Sequence, residues 1–141
     1  MVEIVNNQRK YKLEWETFRT FAETAVEEIS EAEQKNFTVA FISDRRMREL
    51  NKTFREKNST TDVLSFPFDP NEFELGEETL GEIVISIEQA EKQAAENDLS
   101  LASEIKQLIL HGILHLCGYD HETDAGEMNR RELKLREILV I

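Results

Sequence analysis

The segment from Leu101 to Cys117 constrains the fold more than any other part of the chain. Its spacing predicts a helix, with Ser100 as the N-cap and Gly118 as the residue that ends it. Apolar side chains cover nearly all of its circumference after the first turn: Leu101, Ile105, Leu108, Ile109, Leu110, Ile113, Leu114, Leu116 and Cys117. A helix that is apolar on all sides is a buried one, so the sequence predicts a central helix packed within the domain.

Strand and helix patterns alternate along the rest of the chain. Extended segments are expected at residues 2–5, 9–13, 36–42, 63–68 and 82–87, the first two joined by an Asn-Asn turn and the last two paired with each other. Helices are expected from Trp15, over 44–55 after Ser43, over 88–97, and from Asp124 to about 139. An Asp-Pro-Asn turn is expected at 69–71, followed by an acidic loop. The pattern predicts one domain over residues 1–141 with an α/β (α+β-like) fold: a small mixed four-stranded sheet, about five helices and a buried central helix that carries two histidines.

Bulk composition limits the classes of protein to which the chain can belong. Its 141 residues are the size of one domain, and the single cysteine, Cys117, excludes an intramolecular disulfide. No apolar run reaches the roughly 20 residues needed to span a bilayer, and the first residues lack the apolar core of a signal peptide. We therefore expect a cytoplasmic protein that does not interact with membranes.

The net charge of −12 argues at first against a nucleic-acid partner, because lysine and arginine supply the affinity for phosphate. However, residues 44–57 carry six basic side chains against three acids, and residues 130–136 carry four against one. Ten of the 17 basic residues therefore lie in two short stretches. A local patch decides what docks, so the total charge leaves the partner open.

All three histidines of the chain fall between positions 111 and 121. His111 and His115 are one helical turn apart and project from the same face. Gly118 lets the chain turn back, so that His121 can reach the same point from the following loop. Three imidazoles with an open fourth position are typical of catalytic zinc, and we expect one zinc ion on His111, His115 and His121.

Other interpretations of these histidines are weaker. Ordinary core or surface histidines would not cluster at this spacing in a chain otherwise free of histidine. A structural zinc site usually includes cysteine, and Cys117 falls off the ligand face, so it is interpreted as a core residue. The same histidine spacing occurs in metzincin proteases, but these carry a catalytic glutamate directly after the first histidine, where this chain has Gly112.

The predicted helix over 44–55 is basic on one face. Arg45, Arg48, Lys52 and Arg55 share that face, with Met47, Leu50 and Phe54 opposite. A solvated outer face is the usual fate of such charges, whereas a phosphate backbone would relieve their mutual repulsion. Arg55 lies just before the loop that leads to Asp62. It is the best candidate for a guanidinium that clamps a phosphodiester and stabilises the charge developed during cleavage.

Three motifs together resemble a known family. HGILHLCGYDH at 111–121, TDVLSFPF at 61–68 and GEIVIS at 81–86 are similar to the YbeY-type bacterial endoribonucleases and ribosomal RNA maturation factors. The resemblance covers essentially the whole chain, although Thr60 stands where the family often has proline. It implies a single-domain α/β fold, zinc on the three histidines and an active-site arginine at Arg55. It also implies single-strand-specific RNA cleavage, maturation of the 3′ end of small-subunit ribosomal RNA and a part in ribosome quality control.

Our first hypothesis is therefore metal-assisted phosphodiester hydrolysis, with RNA and small-subunit ribosomal components as partners. Asp120 or a backbone carbonyl is expected to orient a ligand imidazole, although Asp120 could equally cap the turn. Water and the 2′-hydroxyl of the substrate are both open as nucleophile. Two alternatives remain: a zinc metallopeptidase or related hydrolase, and a ribosome-assembly factor whose metal mainly organises the fold.

Overall fold

The computed structural model describes residues 1–68, 79–120 and 123–141. Its four strands are β1 (Val2–Asn7), β2 (Asn36–Ile42), β3 (Val63–Pro67) and β4 (Thr79–Ser86). Its helices are α1 (Trp15–Glu27), α2 (Asp44–Arg55), α3 (Ile87–Glu96), α4 (Leu101–Leu116) and α5 (Glu127–Leu139), with a 3₁₀ turn at Ser30–Ala32. The strand order is β1-β2-β4-β3, in which only β3 is antiparallel to its neighbour. The predicted fold class, a small mixed four-stranded sheet with five helices, is confirmed.

Alternation along the strands separates the two faces of the sheet. In β4, Ile83 and Ile85 point into the main core, which is formed with α1, α4 and α5. Val84 points the other way, into a smaller cluster with Met47 of α2 and Leu64 of β3. Successive side chains of a strand face opposite sides, so α2 covers one face of the sheet and α4 the other. The sheet therefore lies between the basic helix and the histidine helix.

Helix α4 is the central helix that its sequence predicts. It contacts β3, β4, α1, α3 and α5, and most of its apolar side chains are buried. Ser100 caps its first turn by accepting a hydrogen bond from the Ser103 N–H at 3.1 Å. At the other end, Gly118 has φ +99, and the N–H groups of Gly118 and Tyr119 donate to the carbonyls of His115 and Leu114. These two bonds are a Schellman motif, which requires the left-handed conformation that glycine adopts without strain.

Residues 9–13 do not form the strand that was expected after the Asn-Asn turn. The side chain of Gln8 accepts a hydrogen bond from the Tyr11 N–H at 2.9 Å and donates to the Tyr11 carbonyl at 2.7 Å. This closes a local turn and uses backbone groups that a ladder would need. β1 instead runs on to Asn7 and pairs in parallel with β2.

Helix boundaries agree with the sequence to within one residue except at the start of α5. Ser43 accepts from the Arg46 N–H at 3.2 Å, and α2 spans the predicted residues. Asp124 was expected to open the last helix, but α5 begins at Glu127 with Gly126 as N-cap. Asp124 still accepts hydrogen bonds from the N–H groups of Gly126 and Met128. The predicted turn and acidic loop at 69–78 lie outside the described residues. No described helix is long and apolar enough to cross a membrane.

Candidate metal centre

The histidine pair on α4 converges on a single point. The Nε2 atoms of His111 and His115 are 3.1 Å apart, and the two rings meet edge to face. Both side chains are only partly buried, so the space between them can be reached from solvent. One turn of helix brings the Cβ atoms together, and the partners of the opposite ring nitrogens fix the direction in which each ring points.

Each ring is held through its Nδ1 atom. His115 Nδ1 lies 2.9 Å from the carbonyl oxygen of Tyr119, and His111 Nδ1 lies 3.2 Å from Oε2 of Glu132. A carbonyl and a carboxylate are acceptors, so Nδ1 carries the proton in both rings. In the neutral imidazoles, both Nε2 lone pairs then face each other. Such a contact is repulsive unless a proton or a cation lies between the two nitrogens.

The pair fits a tetrahedral metal ion. Two imidazole nitrogens bound at about 2.0–2.1 Å to such an ion lie about 3.3 Å apart, close to the observed 3.1 Å. Acceptors behind both ligand rings are the outer contacts usually found at zinc sites. The third predicted ligand, His121, lies outside the described residues. Within the described ranges no group of three metal-binding side chains occurs, so the three-histidine ligand set stays a prediction.

Glu132 of α5 is the buried carboxylate behind His111. It is 7% exposed, and its two oxygens contact His111 and Arg136, each at 3.2 Å. Burial raises the pKa of this carboxyl, but the hydrogen bond from His111 and the charges of His111 and Arg136 outweigh burial and lower it overall. Glu132 is therefore ionised at neutral pH and can orient His111 while it stabilises positive charge at the ring.

Replacing Glu132 by glutamine should weaken zinc binding about 10- to 100-fold. The amide keeps the shape of the side chain, but it loses the charge and can turn its NH₂ group towards His111 Nδ1. Zinc affinity measured by competition with a chelator tests this prediction. Glu137→Gln, an exposed change on the same helix, is the matched control. Equal affinity of the two variants would show that Glu132 does not support the ligand.

Tyr119 contacts His115 through its backbone carbonyl, and its side chain belongs to a hydrogen-bonded cluster with Glu31 and Arg131. The Schellman turn directs its carbonyl back to His115, while its hydroxyl donates to Glu31 Oε2 at 2.9 Å. Arg131 donates to the same carboxylate oxygen at 2.8 Å and also contacts the Tyr119 hydroxyl. Burial raises the pKa of Glu31, but hydrogen bonds from its own backbone N–H, Tyr119, Arg131 and Ser30 outweigh it and lower the pKa to about 2. Two of the four basic residues at 130–136, Arg131 and Arg136, thus form ion pairs within the chain.

The depressed pKa of Glu31 predicts a loss of stability in acid. Its stabilising effect is fully present above the unfolded value of about 4.5 and disappears as the pH falls towards 2. The side chain is 37% exposed, so the effect should stay below about 1 kcal/mol. Urea unfolding at pH 7 and pH 2 should show Glu31→Gln less stable than the wild type at pH 7 and nearly equal to it at pH 2. Glu33→Gln should show no such convergence, and a constant difference for Glu31→Gln would exclude this linkage.

Gly112 faces the sheet and not the histidine pair. A Cβ atom there would lie 2.8–2.9 Å from three side-chain atoms of Ile83 in β4. The position after His111 therefore holds a glycine because α4 packs closely on β4. Cys117 packs against the core, as interpreted from the sequence, and burial followed by the charge of Glu31 raises the pKa of its thiol to about 11. At neutral pH it is a thiol, not the thiolate that zinc prefers.

Arg55 is the last residue of α2. Its side chain is exposed and makes no ion pair or hydrogen bond with the parts of the chain that the structure describes. Together with Lys57 it lines a cavity of about 210 Å³ that also includes Val63. Val63 lines a second cavity, which reaches His111. The structure thus places Arg55 and His111 at cavities on either side of the first residue of β3.

The loop between Arg55 and Val63 is held at two points. The buried Asn51 donates to the Ser59 carbonyl at 2.9 Å, and Asp44 accepts from the hydroxyl of Thr60. The same carboxylate accepts from Ser86 and Gln89, which ties the loop to β4 and α3. Thr60 stands where the family that the sequence resembles often has proline, and its hydroxyl therefore makes a hydrogen bond that a proline side chain could not make. On the basic face, Arg45 approaches Glu49 at 4.0 Å, whereas Arg48 and Lys52 are exposed.

Sequence reasoning missed Glu132, one of the two groups that orient the histidine rings. The alternative of a backbone carbonyl holds for His115 and is provided by Tyr119. The backbone carbonyl of Asp120 accepts hydrogen bonds from the N–H groups of Thr123 and Asp124 and so closes the turn. In the sequence, Glu132 is the one acidic residue of the basic stretch at 130–136. Its place on the inner face of α5, between the buried Met128 and Leu135, was the available signal.

The fold and the site define a small mixed α/β domain in which a buried helix carries a candidate metal-binding histidine pair beside a polar cavity. A family model described as Endoribonuclease YbeY matches residues 3–139. A protein named Endoribonuclease YbeY from Aquifex aeolicus is 43% identical over 130 residues, covering 92% of this chain and 82% of the relative. One from Thermodesulfovibrio yellowstonii is 36% identical over 150 residues, covering 95% and 94%.

A solved structure agrees with these matches. The solution structure of TM1509 from Thermotoga maritima superposes with a TM-score of 0.67 at 30% sequence identity, covering 99% of this chain and 89% of that chain. The chain belongs to the endoribonuclease YbeY family. The resemblance seen in the sequence and the expectation of an enzyme are both confirmed.

Proposed function

We propose that this protein is a zinc-dependent, single-strand-specific endoribonuclease that acts in the cytoplasm on ribosomal RNA. Its relatives are named endoribonucleases, which supports RNA as the substrate. Processing at the 3′ end of small-subunit RNA and a role in ribosome quality control follow from the family resemblance. The observation that carries the metal-dependent part is the contact between two Nε2 atoms whose rings are both held by acceptors at Nδ1.

His111, His115 and His121 would hold the ion in this proposal. Bound zinc supplies Lewis-acid polarisation of a phosphoryl oxygen and lowers the pKa of a coordinated water. Glu132 and the Tyr119 carbonyl keep both imidazoles in the tautomer that presents Nε2. The protein thus holds these ligands in position before the substrate arrives, which reduces reorganisation during the reaction.

Arg55 binds the phosphate in the same proposal. A guanidinium that lacks an ion-pair partner within the described chain is available to a substrate anion and pays no cost for a broken salt bridge. Lys57 lines the same cavity, and the exposed Arg48 and Lys52 extend the positive charge along α2. This local patch attracts the RNA backbone although the chain as a whole is acidic.

The first test is cleavage of a single-stranded RNA by the purified protein before and after treatment with a chelator. We expect cleavage to stop on chelation and to return when zinc is added, and we expect a fully paired duplex to be cut poorly. Activity that survives chelation would contradict metal dependence. Equal cleavage of both substrates would contradict single-strand specificity.

Arg55→Gln should lower cleavage about 100-fold, the effect of removing one donor that stabilises developing charge. The free energy of unfolding should change by less than about 0.5 kcal/mol, because Arg55 is exposed. Initial rates with a labelled RNA and a urea titration measure the two quantities. Arg46→Gln removes a cation from the same helix outside the basic face and should leave cleavage unchanged. Similar losses of cleavage activity in both variants would show that Arg55 contributes only to the general positive charge of the helix.

A further inference from the structure

A polar cavity extends from His111 along helix α4. It has a volume of about 480 Å³ and is lined by residues of α3, α4, α5 and the start of β3. This volume lies within the range of about 300–1,000 Å³ that small-molecule sites occupy. Leu99, Leu108 and Val63 provide apolar wall, and the remaining lining is polar. The roles proposed for the histidine pair and for Arg55 leave this cavity without a function.

Glu104 is the most informative residue in the cavity. It is only 4% exposed, and within the described chain its Oε2 atom is buried without a hydrogen-bond partner. Burial and the charge of Asp62 raise the pKa of this carboxyl, although Arg136 and Asn97 partly oppose them. A buried acceptor without a partner is costly, and native proteins retain such groups mainly where a ligand or water satisfies them.

A second unsatisfied group belongs to another residue that lines the cavity. Arg136 Nε is buried and has no hydrogen-bond partner among the described residues, although its Nη2 donates to Glu132. The residues that line the cavity therefore include an unfilled acceptor, Glu104 Oε2, and an unfilled donor, Arg136 Nε. Glu104 precedes His111 by two helical turns, about 10 Å along the axis. A ligand that bridges this distance can have one end at the histidines and its polar edge at Glu104.

We propose that this cavity binds the guanine base of the nucleotide next to the phosphate at the histidine pair. This inference rests on the proposed function. Guanine carries two adjacent donors, N1–H and the N2 amino group, beside the acceptor O6. The Glu104 carboxylate accepts one donor at the unpartnered Oε2 and the other at a remaining lone pair of Oε1, and Arg136 Nε donates to O6. Sequence-specific proteins read unstacked RNA bases at this edge, and the apolar wall can contact the faces of the ring.

The other three bases match the cavity less well. Adenine and cytosine place an acceptor directly beside their amino group, so a carboxylate would meet a lone pair. Uracil has a single donor between two acceptors. An amino-bearing base without the second donor would leave part of the Glu104 carboxylate unsatisfied, which weakens binding.

Binding of nucleotides to the zinc-loaded protein tests the inference without requiring cleavage. Calorimetric titration with guanosine, adenosine, cytidine and uridine 5′-monophosphates should give at least about tenfold tighter binding of the guanosine nucleotide. Glu104→Gln offers one acceptor and one donor in place of two acceptors, and it should remove this preference. Glu23→Gln, an exposed change on α1, should preserve it.

A second variant tests the cavity if Glu104→Gln fails to unfold cooperatively. Leu99 lies at the rim and is 36% exposed, so Leu99→Phe narrows the entrance without changing the carboxylate. It should weaken guanosine monophosphate binding. Equal binding of all four nucleotides by the wild type, a preference for another base, or unchanged binding in these variants would overturn the inference. RNA cleavage without base preference would overturn it while leaving the proposed function intact. A guanine preference that depends on Glu104 without RNA cleavage would support the site and remove the proposed function.

Discussion

His115→Ala should abolish stoichiometric zinc binding and reduce RNA cleavage by about 1,000-fold or more. A metal ion contributes several kcal/mol to transition-state stabilisation, and each 1.36 kcal/mol corresponds to a tenfold change in rate. The variant also removes one of the two nitrogens that lie 3.1 Å apart, so the remaining ring has lost its partner on α4. Zinc content by elemental analysis and initial cleavage rates measure both effects.

The same variant should remain folded. α4 is fixed by contacts with two strands and three helices, whereas His115 itself is only partly buried. Lys106→Ala is the control on the same helix, because Lys106 lies over the Phe21 ring, away from the histidines. Metal binding and folding are often coupled, so a circular dichroism melt has to accompany the assay. Unfolding of His115→Ala alone would favour the assembly factor with a structural metal, and cleavage that persists would remove the histidines from the mechanism.

Structural features that depend on residues close together in the chain could be predicted from the sequence. Ser43 and Ser100 cap their helices as expected, because a hydroxyl beside a helix start satisfies a nearby N–H group. Gly118 ends α4, because a glycine after an apolar helix marks the left-handed turn. The spacing of His111 and His115 guarantees that they share a face. In each of these cases the partner lies within one helical turn of the residue, so the sequence contains the interaction.

Interactions between distant parts of the chain could not be predicted in this way. Glu132 reaches His111 across 21 positions, and Arg131 reaches Glu31 across 100. Only the packing of α5 and of the segment around Glu31 against α4 brings these pairs together. The failure at residues 9–13 has the same origin, because a single Gln8 side chain competes with a ladder that periodicity alone would favour.

The sequence argues against a metzincin protease because Gly112 stands where the catalytic glutamate would be, but this reason is incomplete. The absence of a glutamate after His111 was interpreted as the loss of a protease's general base. The structure adds that this position points at Ile83, so a side chain there would meet the sheet and not the histidine pair. The packing of α4 on β4 thus opposes a metzincin-like arrangement independently of which residue stands at 112.

Gly112→Glu should therefore unfold the protein and not convert it into a peptidase. Its Cβ would lie 2.8–2.9 Å from the Ile83 side chain, and overpacking of this kind costs about 1–3 kcal/mol. Burial of an unpaired carboxylate adds several kcal/mol, against a total stability of about 5–15 kcal/mol for a typical domain. Ala102→Glu places the same residue on the exposed first turn of α4 and should leave the protein folded.

A smaller substitution isolates the packing contribution. Gly112→Ala should lower the free energy of unfolding by about 1–2 kcal/mol, since the clash with Ile83 exceeds the gain in helix propensity. The loss should shrink when Ile83 is already alanine, and a double-mutant cycle of urea titrations measures this coupling. A folded Gly112→Glu variant with increased turnover of peptides would restore the metallopeptidase alternative. Coupling near zero between positions 112 and 83 would show that the close contact between α4 and β4 does not determine the glycine.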